Sequence, residues 1–130
     1  MSFDRSERGA ASVEFAVVLP IVVVSMLLVV QVALLVSTQL SVQHAAREGA
    51  RAAAVWNDDA RARDAALEAG SLDPDRAEIT VAPDRREVGE SVRVTIRYRP
   101  VVAVPYIGRF VPAGLTLTAS VEERTERAPP

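Results

Sequence analysis

The chain contains no cysteine, no lysine and a single histidine. Without cysteine there is no disulfide, no thiol nucleophile and no cysteine-ligated metal. A small exported domain often leans on disulfides. This one must rely on packing, on its apolar segment or on neighbouring molecules. His44, the one histidine, has no second histidine near it and falls on the polar side of a helical pattern, so it reads as a solvated surface residue. All 15 basic residues are arginine, which reads as coding bias rather than mechanism. They stand against 17 acidic residues, for a net charge of −2, and this near balance argues against a nucleic-acid binder. Glycine-rich phosphate loops, nucleophile elbows and zinc-ligand spacings are also missing. The chain therefore reads as a non-enzyme with no catalytic residue, no cofactor and no metal site.

What is present is a long apolar run. From Phe15 to Val36 there are 22 residues without a charge, and only Ser25 and Gln31 are strongly polar. A helix of that length reaches roughly 33 Å at about 1.5 Å per residue, enough to cross a bilayer core of about 30 Å. It is longer than the apolar region of a secretory signal, and no small-residue cleavage site follows it closely. Arg5 and Arg8 flank its N-terminal end, whereas the first basic residue beyond it is Arg47. That bias places the N-terminus in the cytoplasm and the C-terminal domain outside the plasma (inner) membrane, as a single-pass protein. One acid, Glu14, adjoins the run, five residues after Gly9. A carboxylate at the rim of a membrane helix is costly. It either snorkels to the headgroups or meets a partner charge. Gly9 alone has an equally plain reading as a flexible residue before a helix.

The pattern predicts an α+β fold in which a long N-terminal transmembrane helix continues into a small domain with a second short helix and a three-stranded antiparallel sheet. Residues 1–9 form a leader, 10–36 the transmembrane helix and 37–130 the domain, with 37–56 as an amphipathic continuation of the helix. The first helix is expected from Val13 to about Trp56, with a bend or loosening at Pro20. Past Val36 the helix becomes two-faced. Val42, Ala45, Ala46, Gly49 and Ala53 share one side, and Gln43, His44, Arg47, Glu48 and Arg51 the other. Gly49 inside a helix costs up to about 1 kcal/mol relative to alanine, which implies a packing reason for it. Asn57 or Asp58 caps a second helix, Asp59 to Ala69, and Gly70 ends it. Its acidic residues Asp58, Asp59, Asp64 and Glu68 are interleaved with Arg61 and Arg63, and read as a solvated face rather than a cation site.

From Ala77 the apolar period becomes two. Strands are expected at Glu78–Ala82, over Val92–Arg99, and from Leu115 to Glu122. The simplest packing sets the small-residue face of the helix on the apolar face of this sheet. Arg93, Arg97 and Arg99 line the other face, as a plain outward surface or a contact for headgroups or acidic partners. Residues 100–114 form an unusually apolar, proline-containing connection that reads as an edge segment, a cover or a docking surface. The tail from Glu122 is expected to fray.

Three stretches carry a resemblance to a known family. They are Glu7-Arg8-Gly9-Ala10-Ala11-Ser12-Val13-Glu14-Phe15-Ala16, then Leu19-Pro20, then Ala45-Ala46-Arg47-Glu48-Gly49-Ala50-Arg51. Together they make the first two fifths of the chain resemble the TadE-like family, pilin-like proteins of bacterial tight adherence (Flp-type) pilus systems. The resemblance implies that a prepilin peptidase cuts after Gly9, so that Ala10 becomes the new N-terminus and the apolar helix is retained. It implies that Glu14 faces the free α-amino group of a neighbouring subunit. It also implies a minor pseudopilin, distinct from the main pilus subunit, whose partners are membrane lipid, other pilin or pseudopilin subunits and the assembly platform. Its place is either in the fibre or in the basal machinery. An uncleaved anchor presenting a ligand-binding domain, and a secreted soluble domain, are the competing readings.

Overall fold

The computed structural model describes residues 3–102, 107–109, 111, 112 and 114–126, with the side chains of the first helix from Gly9 onward. Helix α1 spans Phe3–Trp56, helix α2 Asp59–Gly70, and strands β1, β2 and β3 span Ala77–Ala82, Ser91–Tyr98 and Leu117–Arg124. The class is α+β: one long apolar helix, a second short helix and a three-stranded antiparallel sheet in the order β1-β2-β3.

Helix α1 begins at Phe3, ten residues before the expected start at Val13. Asp4 and Glu7 suit the positive end of its dipole, and Ala10 and Ala11 favour helix, so nothing before the apolar run interrupts the winding. The helix also runs through Pro20. It ends where Asn57 takes a left-handed conformation, φ 50°, while its N–H still bonds the Ala53 carbonyl at 2.9 Å. Asp58 is the residue that caps α2, accepting hydrogen bonds from the N–H groups of Ala60 at 2.9 Å and Arg61 at 3.4 Å. At the other end, Ser71 rather than Gly70 adopts the left-handed cap, φ 49°. A single 3₁₀ turn, Pro74–Arg76, leads into β1.

The sheet register stacks Val81, Val94 and Val121 across the three strands, and Ile79, Ile96 and Ala119 beside them. On β2 the alternation is complete: Val92, Val94, Ile96 and Tyr98 point into the core. Burying such side chains contributes about 1.5–3 kcal/mol each. The outward face carries an Arg93–Glu122 ion pair at 2.9 Å and a Thr95–Ser120 hydroxyl pair at 3.0 Å.

Two expectations change. The small-residue side of α1 does not meet the sheet alone. A side-chain carbon at Gly49 would lie 3.0 Å from the Ala66 Cβ and 3.2 Å from the Ala62 carbonyl oxygen on α2, and 3.4 Å from Val94 on β2. Helix α2 is thus wedged against α1 by Ala62, Ala66 and Gly70, small residues at every fourth position that let the two backbones approach closely. The tail is also held further than expected. β3 continues to Arg124, Thr125 is buried, and the N–H groups of Thr125 and Glu126 bond the carbonyls of Glu90 at 2.7 Å and Ala54 at 2.9 Å. The expectation for residues 127–130, and that for 103–106, 110 and 113 of the apolar connection, lie outside the described residues.

Candidate functional site

Gly9 and Ala10 are exposed, and Gly9 has open space around the position a side chain would take. Both lie in the continuous helix α1. Ala10 and Glu14 are four residues apart, so they share one helix face about 6 Å apart along the axis. Glu14 is exposed, and among the described residues none forms a salt bridge or hydrogen bond with its carboxylate.

From Gly9 to Val30 every side chain is exposed, including Phe15, Val17, Ile21 and Met26. The span is a candidate membrane crossing by length and composition. Two hydroxyl groups of the helix bond back to its own backbone. Ser25 donates to the Ile21 carbonyl at 2.8 Å, and Thr38, just past the run, to the Leu34 carbonyl at 2.9 Å. Such bonds to the preceding turn spare an apolar medium an open polar group. Glu14 and Gln31 are placed differently. Glu14 points out of the protomer, whereas Gln31 is covered.

Val42, Ala45, Ala46, Gly49 and Ala53 are all buried, and Ala50 and Ala54 join them. They hold the domain to the upper half of α1 and are not free for a partner. Sequence reasoning missed Ala50, Ala54 and their counterparts Ala62 and Ala66. The four-residue spacing of Ala62, Ala66 and Gly70 was the available signal. It also missed Arg86, whose side chain is 1% exposed. This guanidinium donates to Asn57 Oδ1 at 3.0 Å, to the Pro83 carbonyl at 2.8 Å and to Asp59 Oδ1 at 2.7 Å. It ties the β1–β2 turn to the corner between the helices. Asp58 and Asp59 are therefore engaged in a cap and an ion pair, while His44 is exposed.

Residues 9–51 match the family model described as TadE-like protein. The match begins at Gly9, includes Glu14 and the whole apolar run, and ends within the buried small-residue segment. No curated protein and no solved structure matches the chain.

Proposed function

We propose that this protein, a TadE-like match over residues 9–51, is a minor pseudopilin-like component of a tight adherence (Flp-type) pilus, cut after Gly9 and held in the membrane by its N-terminal helix. Its role is structural. The N-terminus lies on the cytoplasmic side, where Arg5 and Arg8 hold it before the cut, and the α+β domain outside. Pilin-type subunits and the assembly platform are its partners, and a prepilin peptidase processes it.

One observation carries the reading: Glu14 is exposed on an apolar helix, five residues beyond an unobstructed glycine, and among the described residues none pairs with its carboxylate. An ionised carboxylate costs about 3 kcal/mol at the centre of a membrane helix, and less toward the edge. Cutting after Gly9 creates an α-amino group at Ala10, which is protonated near neutral pH. The same group on an adjacent copy or sister subunit, its helix alongside, meets Glu14 and removes that cost. Gly9 lowers the local helix propensity by up to about 1 kcal/mol, which makes opening the backbone at the cut easier.

Glu14→Ala tests the reading in the native host. The variant should insert in the membrane and be processed as the parent is, yet cross-link poorly to its neighbours. Loss of insertion with cross-linking intact in the remaining molecules would mean that Glu14 serves the membrane rather than the neighbour.

A further inference from the structure

We infer that the described apolar residues of the connection between β2 and β3, around Val101, Val102 and Val111, rest in the outer headgroup layer of the membrane, so that the domain is seated on lipid as well as tethered by α1. This rests on the apolar run being the membrane span.

Strand β3 fixes the direction. At its start, the Thr118 carbonyl accepts a hydrogen bond from Gln39 Nε2 at 3.2 Å; beyond its end, the N–H of Glu126 donates to the Ala54 carbonyl at 2.9 Å. β3 therefore climbs α1 away from the span, over roughly 22 Å of helix. Tyr98, the end of β2, pairs with Leu117, the start of β3. Both ends of the connection thus lie at the membrane-proximal edge of the sheet, level with Gln39, three residues past the apolar run.

The burial pattern of α1 shows that one face stays covered below the sheet. Gln31 is 2% exposed, while its neighbours Val30 and Val32 are 47% and 58% exposed. Leu35 and Thr38, on the same face, are partly covered. Gln31 sits about 12 Å below Gln39 along the axis. This covered face lies below the sheet, on the side toward which both ends of the β2–β3 connection lie, and includes the last turns of the candidate span.

The described residues of the connection have the chemistry of a lipid contact. Val101 is 56% exposed. Pro100, Val102, Val111, Pro112 and Leu115 line an open apolar groove of about 250 Å³. Arg99 lines it too, and Arg109 follows its Gly108 in sequence; both arginines are exposed. Apolar side chains at the acyl boundary with arginines at the phosphate level form an interfacial contact, and the arginines favour anionic lipid.

The chain has no cysteine, so single nitroxide labels can be placed cleanly on the full-length protein. Labels go at Val101→Cys, at Val22→Cys in the span and at Thr80→Cys, an exposed site on β1. The protein is reconstituted in phosphatidylcholine vesicles with and without phosphatidylglycerol. Collision with oxygen, which concentrates in lipid, is compared with collision with a water-soluble nickel chelate. The inference expects positions 22 and 101 to favour oxygen and position 80 the chelate. It further expects the lipid-inserted population at 101 to rise with phosphatidylglycerol, and to fall about fivefold for each of Arg99→Gln and Arg109→Gln. Position 22 in lipid with 101 as water-accessible as 80 would overturn the inference and leave the span standing. Protection of 101 from both reagents would assign the groove to a second protein molecule and also overturn it. A label at 22 outside the lipid would overturn both.

Discussion

Gly70→Ala is the change that most directly tests how the domain is held to the long helix. Gly70 closes α2, and its neighbour Ser71 carries the left-handed cap, so the glycine is not needed for backbone freedom. A side-chain carbon at position 70 would lie 2.7 Å from the Ala45 Cβ, 2.9 Å from the Leu72 Cγ and 3.0 Å from the Ser41 carbonyl oxygen. Carbon atoms pack comfortably at about 3.5–4.0 Å, so α2 must move off α1 by several tenths of an ångström or more. Overpacking of this kind costs about 1–3 kcal/mol. Alanine returns up to about 1 kcal/mol of helix propensity, and less at a terminal position. The net loss should be about 1–2 kcal/mol, a shift of roughly 0.5–1 M in a urea midpoint. Trp56, the one tryptophan, ends α1 beneath the Arg61 guanidinium, which lies 4.8 Å from the ring centroid. Its fluorescence follows unfolding of this corner in the intact, micelle-bound protein. Ala45→Gly in the Gly70→Ala background should recover part of the loss, with a coupling of at least about 0.5 kcal/mol. Gly70→Ala as stable as the parent, with no coupling to Ala45, would refute this account of α1–α2 packing.

Three further outcomes are expected. Arg86→Ala should destabilise the domain by about 3 kcal/mol in the same urea assay, because it leaves Asn57, the Pro83 carbonyl and Asp59 facing a vacant pocket; a change within error would show that the guanidinium is dispensable. Arg93→Gln, by contrast, should leave the urea midpoint unchanged, because its pair with Glu122 is exposed. The hydrogen bond from Arg93, with a further one from Ser91, holds the Glu122 carboxyl below its ordinary value. Its small contribution is therefore present above the ordinary carboxylate range and lost as pH falls through the depressed folded value. An NMR titration of the Glu122 carboxyl should show its midpoint rise in Arg93→Gln, and an unmoved midpoint would contradict the assignment.

Where one periodicity dominates, the fold is legible in the residues. Val92, Val94, Ile96 and Tyr98 alternate with polar neighbours, and they line the core face of β2. The 22-residue apolar run is likewise plain as a helix. Elements decided by distant contacts are not legible. Gly70 reads as a helix stop and is a packing glycine, because its reason lies at Ala45 and Ser41 on another helix. Leu115 extends the alternation of β3 in sequence, but Gly114, with φ 85°, and the bond from the Thr116 hydroxyl to the Gly114 carbonyl keep that end in a turn. The strand starts at Leu117, where it can pair with Tyr98. Arg86 sits in a turn between Pro83 and Gly89, and nothing local marks it for burial. Its partners Asn57 and Asp59 are 29 and 27 residues away. The tail reads as frayed by composition, yet Thr125 and Glu126 are held by the carbonyls of Glu90 and Ala54. At the membrane end, the covered state of Gln31 has no local signature, since its neighbours are exposed valines.

The central claim is that the leader is removed so that a new amino group can meet Glu14. The most direct test is the intact mass and N-terminal sequence of the protein recovered from its native host, for the parent chain and for Gly9→Leu. The account predicts a parent chain beginning at Ala10 with its apolar helix intact, and a Gly9→Leu chain that retains residues 1–9. A parent chain that retains its first nine residues, or one that begins beyond Val36, would contradict it.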